Sequence, residues 1–398
     1  MGEKPFTKRA FTGTADRKRD NVISGRFNAS GRARSDKDPT TRVIVTGIRT
    51  GELFEGVKRA VRSAAEAATD FSWLSRGDRV FIKPAHNSGN PYPATTSPEA
   101  VAVMIELLKE KGAGRIVVGD MAGIEHLKLR PDGLTGSTRQ LMERSGMANA
   151  ALQAGAEIHC FEEPGWNAFY EDLPAPGSHW KKGLMMPDIL QDMDHIVLMP
   201  RCSRHALAGS TLGLKAAVGY WRTDTRLEYH KDAATFQEKT AEGNTVKTLM
   251  EKQRLVLSAA HVIQTTFGPD RGTASHPPTG LVFASRSVTA HDMVSLAWLL
   301  ENRTRLPESK KRGFNDPYAR QWMVSLGNRW VVHMLGGLRQ SLFVEKLARN
   351  DLDTIWDDRI IRRACGIFEG MPNVELASID RSVPTELINR LQMMILPP

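Results

Sequence analysis

Three β-branched runs alternate with two helix-length segments over residues 42–120, and this alternation constrains the fold more than any other feature of the chain. "RVIVTG", "RVFIKP" and "RIVVGD" have the composition of strands, and each is stopped by a turn-forming residue. Between the first two lies "GVKRAVRSAAEAATDF", whose apolar residues recur at intervals of three and four, as on one face of a helix. Between the second and third, Ser97-Pro98-Glu99 supplies a cap and a proline at the first helical position, and the segment "AVAVMIELLKEK" ends at Gly112. Strands joined by helical crossovers run parallel, and a parallel sheet builds its ligand site in the loops beyond the strand C-termini.

The pattern continues. "EIHCF", "HIVLMP" and "GLVFASR" read as further strands, whereas "TRQLMERSGMANAALQAG" and the Ser/Thr-capped "SVTAHDMVSLAWLLENR" read as helices. "EKQRLVLSAAHVIQTTFG" reads as a helix running into a strand. Residues 164–187 hold four prolines and predict a lid or an ordered irregular excursion; residues 219–243 are polar and partly helical. A chain of 398 residues exceeds the size at which one core stops growing, so two domains are expected. The predicted class is α/β, with largely parallel sheets flanked by helices. The division is a flexible arm over 1–41, an α/β domain over 42–316 with room for two lobes around a cleft, and a helix-rich segment over 317–398 with one strand candidate at "VELASID". In that last segment Trp322, Trp330, Met334 and Phe343 form either core packing or an apolar face for a partner subunit in a homo-oligomer.

Composition narrows the function classes. Residues 1–42 carry eleven Lys/Arg and five Asp/Glu, which is +6 of the net +9, so the body of the chain is nearly balanced and a nucleic-acid-binding body is not expected. No apolar run approaches the roughly 20 residues that span a bilayer, and the polar start has no signal-peptide pattern; a cytoplasmic location without membrane contact is expected. Cys160, Cys202 and Cys365 lie far apart, so neither a disulfide framework nor a cysteine-ligated iron–sulfur cluster is expected.

Three strand ends carry chemically capable groups: Lys83 and His86, then Asp120 and His126, then the stretch from His205 to Lys215. Parallel strands bring such ends to one edge. Lys83 also reads as a carbonyl or carboxylate partner within the fold, Asp120 as a turn cap, and Thr95, Thr96 and Ser97 as helix caps. In "RHALAGSTLGLKAAVG", Gly209 lets the backbone approach a ligand, Ser210 and Thr211 add hydroxyl donors, and Lys215 falls one or two turns into a following helix. Leu214 separates Gly213 from Lys215, so this is not a Walker A loop. His230 in "LEYHKD" reads as a surface helix histidine, and Asp292 in "TAHDMV" as a local cap or partner.

"VFIKP…TTSPEAVAVMIELLKEKGAGRIVVGD", "DHIVLMPRCSRHALAGSTLGLKAAVG" and "GPDRG…GLVFASRSVTAHDMV" resemble, in order, the blocks of domain-of-unknown-function family 362, over roughly residues 42–300. That family often carries a cysteine-rich ferredoxin module, which this chain lacks. The same blocks more distantly resemble the nickel-pincer lactate racemases. That resemblance implies a nickel-pincer nucleotide anchored by Lys215 and met by Gly209, Ser210, Thr211 and Asp120, with His230 as the metal's protein ligand. It further implies His205 and His126 as opposed acid/base groups and Lys83 as the substrate-carboxylate holder, in hydride removal and return. Histidine suits such work because its pKa lies near operating pH. The functional expectation is therefore a small-molecule enzyme, racemase- or epimerase-like, acting on a carboxylate- or phosphate-bearing metabolite in a cleft at the strand ends. The alternative is a non-catalytic ligand-binding or oligomeric assembly protein of the same fold.

Overall fold

The computed structural model describes residues 40–49, 52–266, 268, 272–311, 321–368 and 370–398. The arm expected over 1–41 lies outside them, except for Thr40 and Thr41, which begin the first strand.

An eight-stranded sheet organises the chain. In chain order its strands are β1 (Thr40–Arg49), β2 (Arg79–Pro84), β3 (Arg115–Asp120), β4 (Glu157–Cys160) and β5 (His195–Met199). A hairpin of β6 (Ser203–His205) and β7 (Gly209–Thr211) follows outside the sheet, and then β8 (Gln253–Ala260), β9 (Thr279–Ser285) and β10 (Asn373–Ser378) complete it. Across the sheet the order is β10-β1-β9-β8-β5-β2-β3-β4. All neighbours pair parallel except at β9, which runs against both β1 and β8.

The parallel sheet expected from the strand–helix alternation is therefore present, with one difference. β1 does not lie beside β2; three strands separate them, and β1 is paired with β9 and β10. Nor does the sheet show the two domains expected from length, because β10, from the helix-rich C-terminal segment, pairs in parallel register with β1 (Val43 opposite Leu376).

Both faces of the sheet are buried, which accounts for the continuous apolar runs of its strands. Val80, Ile82, Ile116 and Val118 pack toward α1 (Leu53–Ala68) and α2 (Pro98–Glu110). The alternate residues Phe81, Val117, Ile196 and Leu198 pack on the other side, against an aromatic layer that includes Trp180, Tyr220, Trp221 and Tyr229. Lys83 continues the alternation of Phe81, which carries its side chain toward that aromatic side. Ser97 caps α2, its Oγ accepting from Ala100 N at 3.2 Å, as the Ser-Pro signature predicts.

After the hairpin come α3 (Gly213–Ala216) and α4 (Thr223–Lys231). "EKQRLVLSAA" is strand from Gln253 onward, with only a short helix before it. The proline-rich excursion contains a hairpin, Phe169–Asp172 against Leu184–Pro187. Ser287 caps α5 (Val288–Thr304), and α6 (Gln321–Ser341) and α7 (Thr385–Ile395) follow. On α6, Val324, Asn328, Val332 and Leu335 face inward. Trp322 and Trp330 are 65% and 60% exposed, and Phe343 just beyond is 68% exposed, so the core-packing alternative does not hold for these three residues. The inward stripe of α6 is made by different residues. Among the described residues, no helix is long and apolar enough to cross a membrane.

Candidate functional site

A cavity of about 110 Å³ opens at the C-terminal ends of β2, β3 and β5. Its lining includes Lys83, His86, Asp120, Arg201, His205, Thr211, Lys215 and Arg226. The reasoning from strand ends thus brings three separate sequence segments to one place.

The floor is an ion pair. Lys83 Nζ lies 2.8 Å from Asp120 Oδ1, donates to Pro84 O at 2.7 Å and stands 5.1 Å from the centre of the Tyr220 ring. Asp120 also accepts the backbone N–H groups of His86 (2.7 Å) and Met121 (2.8 Å). Burial pushes the lysine down and the carboxyl up, and their mutual attraction opposes both shifts. Gly219 closes over the pair so tightly that a Cβ there would come within 2.2 Å of Asp120 Oδ1 and 2.5 Å of Lys83 Nζ. Only glycine leaves that space.

His205 and Thr211 enter from the hairpin. In antiparallel register Ser203 faces Thr211 and His205 faces Gly209, so His205 and Thr211 share one side, while Arg204 and Ser210 take the other. Ser210 is buried and absent from the lining, and Gly209 adopts φ +94° at the turn. His205 Nδ1 accepts from the N–H groups of Leu207 (3.1 Å) and Ala208 (3.2 Å), which leaves its proton on Nε2. His86 has the same tautomer but engages the other nitrogen. Ser145 Oγ donates to Met142 O and stands 2.7 Å from His86 Nε2, so Nε2 carries the proton; Nδ1 is buried, bare and without a hydrogen-bond partner. Burial drives His86 down to about 3 and His205 well below the ordinary histidine value, so both are uncharged at neutral pH. Thr211 Oγ1 is likewise buried without a partner.

Lys215 lies in the first turn of α3. Asp292 fixes that turn from α5, its two oxygens accepting from Gly213 N (2.8 Å) and Leu214 N (2.7 Å). Its role is a cap, as one reading of the sequence held, but across 79 residues rather than locally. Arg226 on α4 binds the carbonyls of Ala122 (2.6 Å), Met121 (2.9 Å) and Gly219 (3.2 Å), tying the loop after β3 to the turn that covers the ion pair. Burial lowers the Arg226 guanidinium to about 10.

Besides Gly209 and Ser210, two sequence candidates stand apart from the lining. His126 lies in the loop after β3, with its Nε2 buried and without a hydrogen-bond partner. His230 pairs with α6: its Nδ1 stands 2.8 Å from Asn328 Oδ1, and Asn328 Nδ2 donates to His230 O at 2.8 Å. This reciprocal bond leaves Nε2 as the bare nitrogen. It is not a surface residue; burial brings it to about 3. Among the described residues, no group of three or more His, Cys, Asp or Glu side chains could hold a metal ion. Of the residues implied for a nickel-pincer group, Lys83, Asp120, His205, Thr211 and Lys215 line the cavity, whereas His126, Gly209, Ser210 and His230 stand outside its lining.

Sequence reasoning overlooked Arg201 and Arg226. Arg201 directly follows the strand segment "HIVLMP" and satisfied the strand-end criterion. Arg226 gave no such signal, because it sits mid-helix in a stretch read as polar.

The chain belongs to the family described as Domain of unknown function (DUF362), whose model matches residues 80–297, more than half of its length. No curated protein sequence matches it. Among solved structures it is similar to a structural-genomics protein from Thermotoga maritima, at 10% identity and TM-score 0.41, covering 64% of this chain and 59% of that one. It is also similar to the lactate racemase apoprotein from Thermoanaerobacterium thermosaccharolyticum, at 12% identity and TM-score 0.36, covering 62% and 54%. The chain therefore spans little more than half of each neighbour, and both are distant structural resemblances.

Proposed function

We propose that the cavity binds a small anionic metabolite, of which a carboxylate is the best-fitting class, and that His205 and His86 move protons on it. The observation that carries this reading is a surplus of cationic groups. Lys83, Lys215 and Arg226 converge with a single carboxylate in the described lining, Asp120, and that carboxylate is already matched to Lys83. Enclosed cations cost less when an anion joins them, and a cavity of about 110 Å³ favours a small one.

The two histidines support an acid–base role. One presents a proton-bearing Nε2 and the other a bare Nδ1, so the lining offers a donor and an acceptor without either ring being charged. Such a pair suits removal and return of a proton, the chemistry of a racemase or epimerase acting on a hydroxy or oxo acid. Lys83 and Arg226 serve as positioning residues, the first through Asp120 and the second through the carbonyls it gathers.

Thermal unfolding with oxalate, D- and L-lactate, malate and inorganic phosphate tests the binding reading. A ligand at about 100 times its Kd stabilises the folded protein by about 2.7 kcal/mol. Arg226→Gln should weaken that stabilisation, and the absence of any shift with all these anions at millimolar concentration would overturn the assignment.

A further inference from the structure

Two buried lysines lie on this side of the sheet, and both are matched to carboxylates. Lys83 meets Asp120 at 2.8 Å; Lys239 meets Glu228 at 3.1 Å and Asp232 at 3.0 Å. Lys215 differs. Among the described residues its amine makes no ion pair and no hydrogen bond; it stands 5.6 Å from the centre of the Tyr229 ring, and its charged neighbours are the cations Arg226 and Arg201. An amine enclosed beside other cations and denied a counter-ion sheds its proton readily, and the free amine is a nucleophile. Burial, reinforced by those arginines, brings Lys215 down to about 7.

We propose that Lys215 is a nucleophilic amine that forms a Schiff base with an aldehyde or ketone acid held in this cavity. The inference rests on the anion-binding reading and narrows it to substrates bearing both a carboxylate and a carbonyl group. The Nζ lone pair attacks the carbonyl carbon, forming the C–N bond as the C=O π pair moves onto oxygen. Proton transfer from nitrogen to oxygen gives the carbinolamine. Loss of water then gives the imine, so both amine hydrogens leave with the former carbonyl oxygen. No oxidant or reductant takes part. His205, with a proton on Nε2, and His86, with a bare Nδ1, are the lining groups that relay these protons. Asp292 holds the turn that carries the amine, through Gly213 N and Leu214 N.

Reductive trapping provides the test. The full chain is incubated with glyoxylate, and separately with pyruvate, in the presence of cyanoborohydride, and the adducts are mapped by peptide mass spectrometry across pH 6–10. The expected result at pH 7 is labelling of Lys215 at least about tenfold faster than of exposed lysines, with a midpoint near 7 rather than the ordinary lysine range. Oxalate, which has no electrophilic aldehyde or ketone, should slow the labelling. Labelling of Lys215 no faster than of exposed lysines overturns the proposal. If oxalate stabilises the protein while Lys215 stays unlabelled, the Schiff base fails and the anion-binding reading stands. If oxalate neither binds nor protects and Lys215 stays unlabelled, both fail.

Discussion

Replacing Asp120 by asparagine keeps the shape of the buried pair and removes one charge. In the folded protein Lys83 is fully buried and its amine has two acceptors, the carboxylate at 2.8 Å and the carbonyl of Pro84 at 2.7 Å. Asp120→Asn leaves a buried ammonium with no carboxylate beside it. Removing one partner of such a pair costs about 3–5 kcal/mol. At about 2.1 cal/mol/K per residue, unfolding 398 residues carries roughly 0.8 kcal/mol/K of entropy, so Tm should fall by about 4–6 °C. Calorimetry on the single variants and on Lys83→Met/Asp120→Asn completes a double-mutant cycle. With no ion left to bury, the double variant should recover at least about 2 kcal/mol relative to Asp120→Asn alone. The reasoning is refuted if Asp120→Asn costs under about 1 kcal/mol, or if the double variant is destabilised by the sum of the two single changes.

Gly219→Ala places a methyl group within 2.2 Å of Asp120 Oδ1, so overpacking of about 1–3 kcal/mol is expected in urea denaturation, together with weaker ligand binding; an unchanged midpoint would show that the turn can move. His86 is held near 3 by burial, against an unfolded value of 6.5, so the unfolded chain takes up its proton first as pH falls. Its contribution is complete above pH 6.5 and is lost toward pH 3, at no more than about 1.4 kcal/mol per pH unit, and His86→Gln should flatten a stability profile recorded over pH 4–7. Trp322→Ser and Trp330→Ser alter exposed positions and should each shift unfolding by less than about 0.5 kcal/mol; losses of 3 kcal/mol would mean that those rings are covered.

Local sequence determined much of this protein. The strands over 79–84, 115–120 and 195–199 are β-branched runs that must be buried on both faces, and Ser97-Pro98 marks a helix start whatever lies around it. Those signals sufficed to place Lys83, Asp120, His205 and Lys215 at strand ends, and the cavity lining includes all four. Tertiary structure decided what no window of sequence contains. Strand order is one such matter: β1 stands beside β9 and β10, because pairing partners are chosen by packing between segments hundreds of residues apart. The partners of charged groups are another. Lys83 and Lys215 are both lysines after apolar segments, yet the fold gives one a carboxylate and surrounds the other with arginines. Helix periodicity could not single out Arg226, because three carbonyls from two other segments draw its guanidinium inward. Residue type and spacing fixed which groups could reach the sheet edge; the dielectric and charge around each, which set its chemistry, exist only once the chain has closed around them.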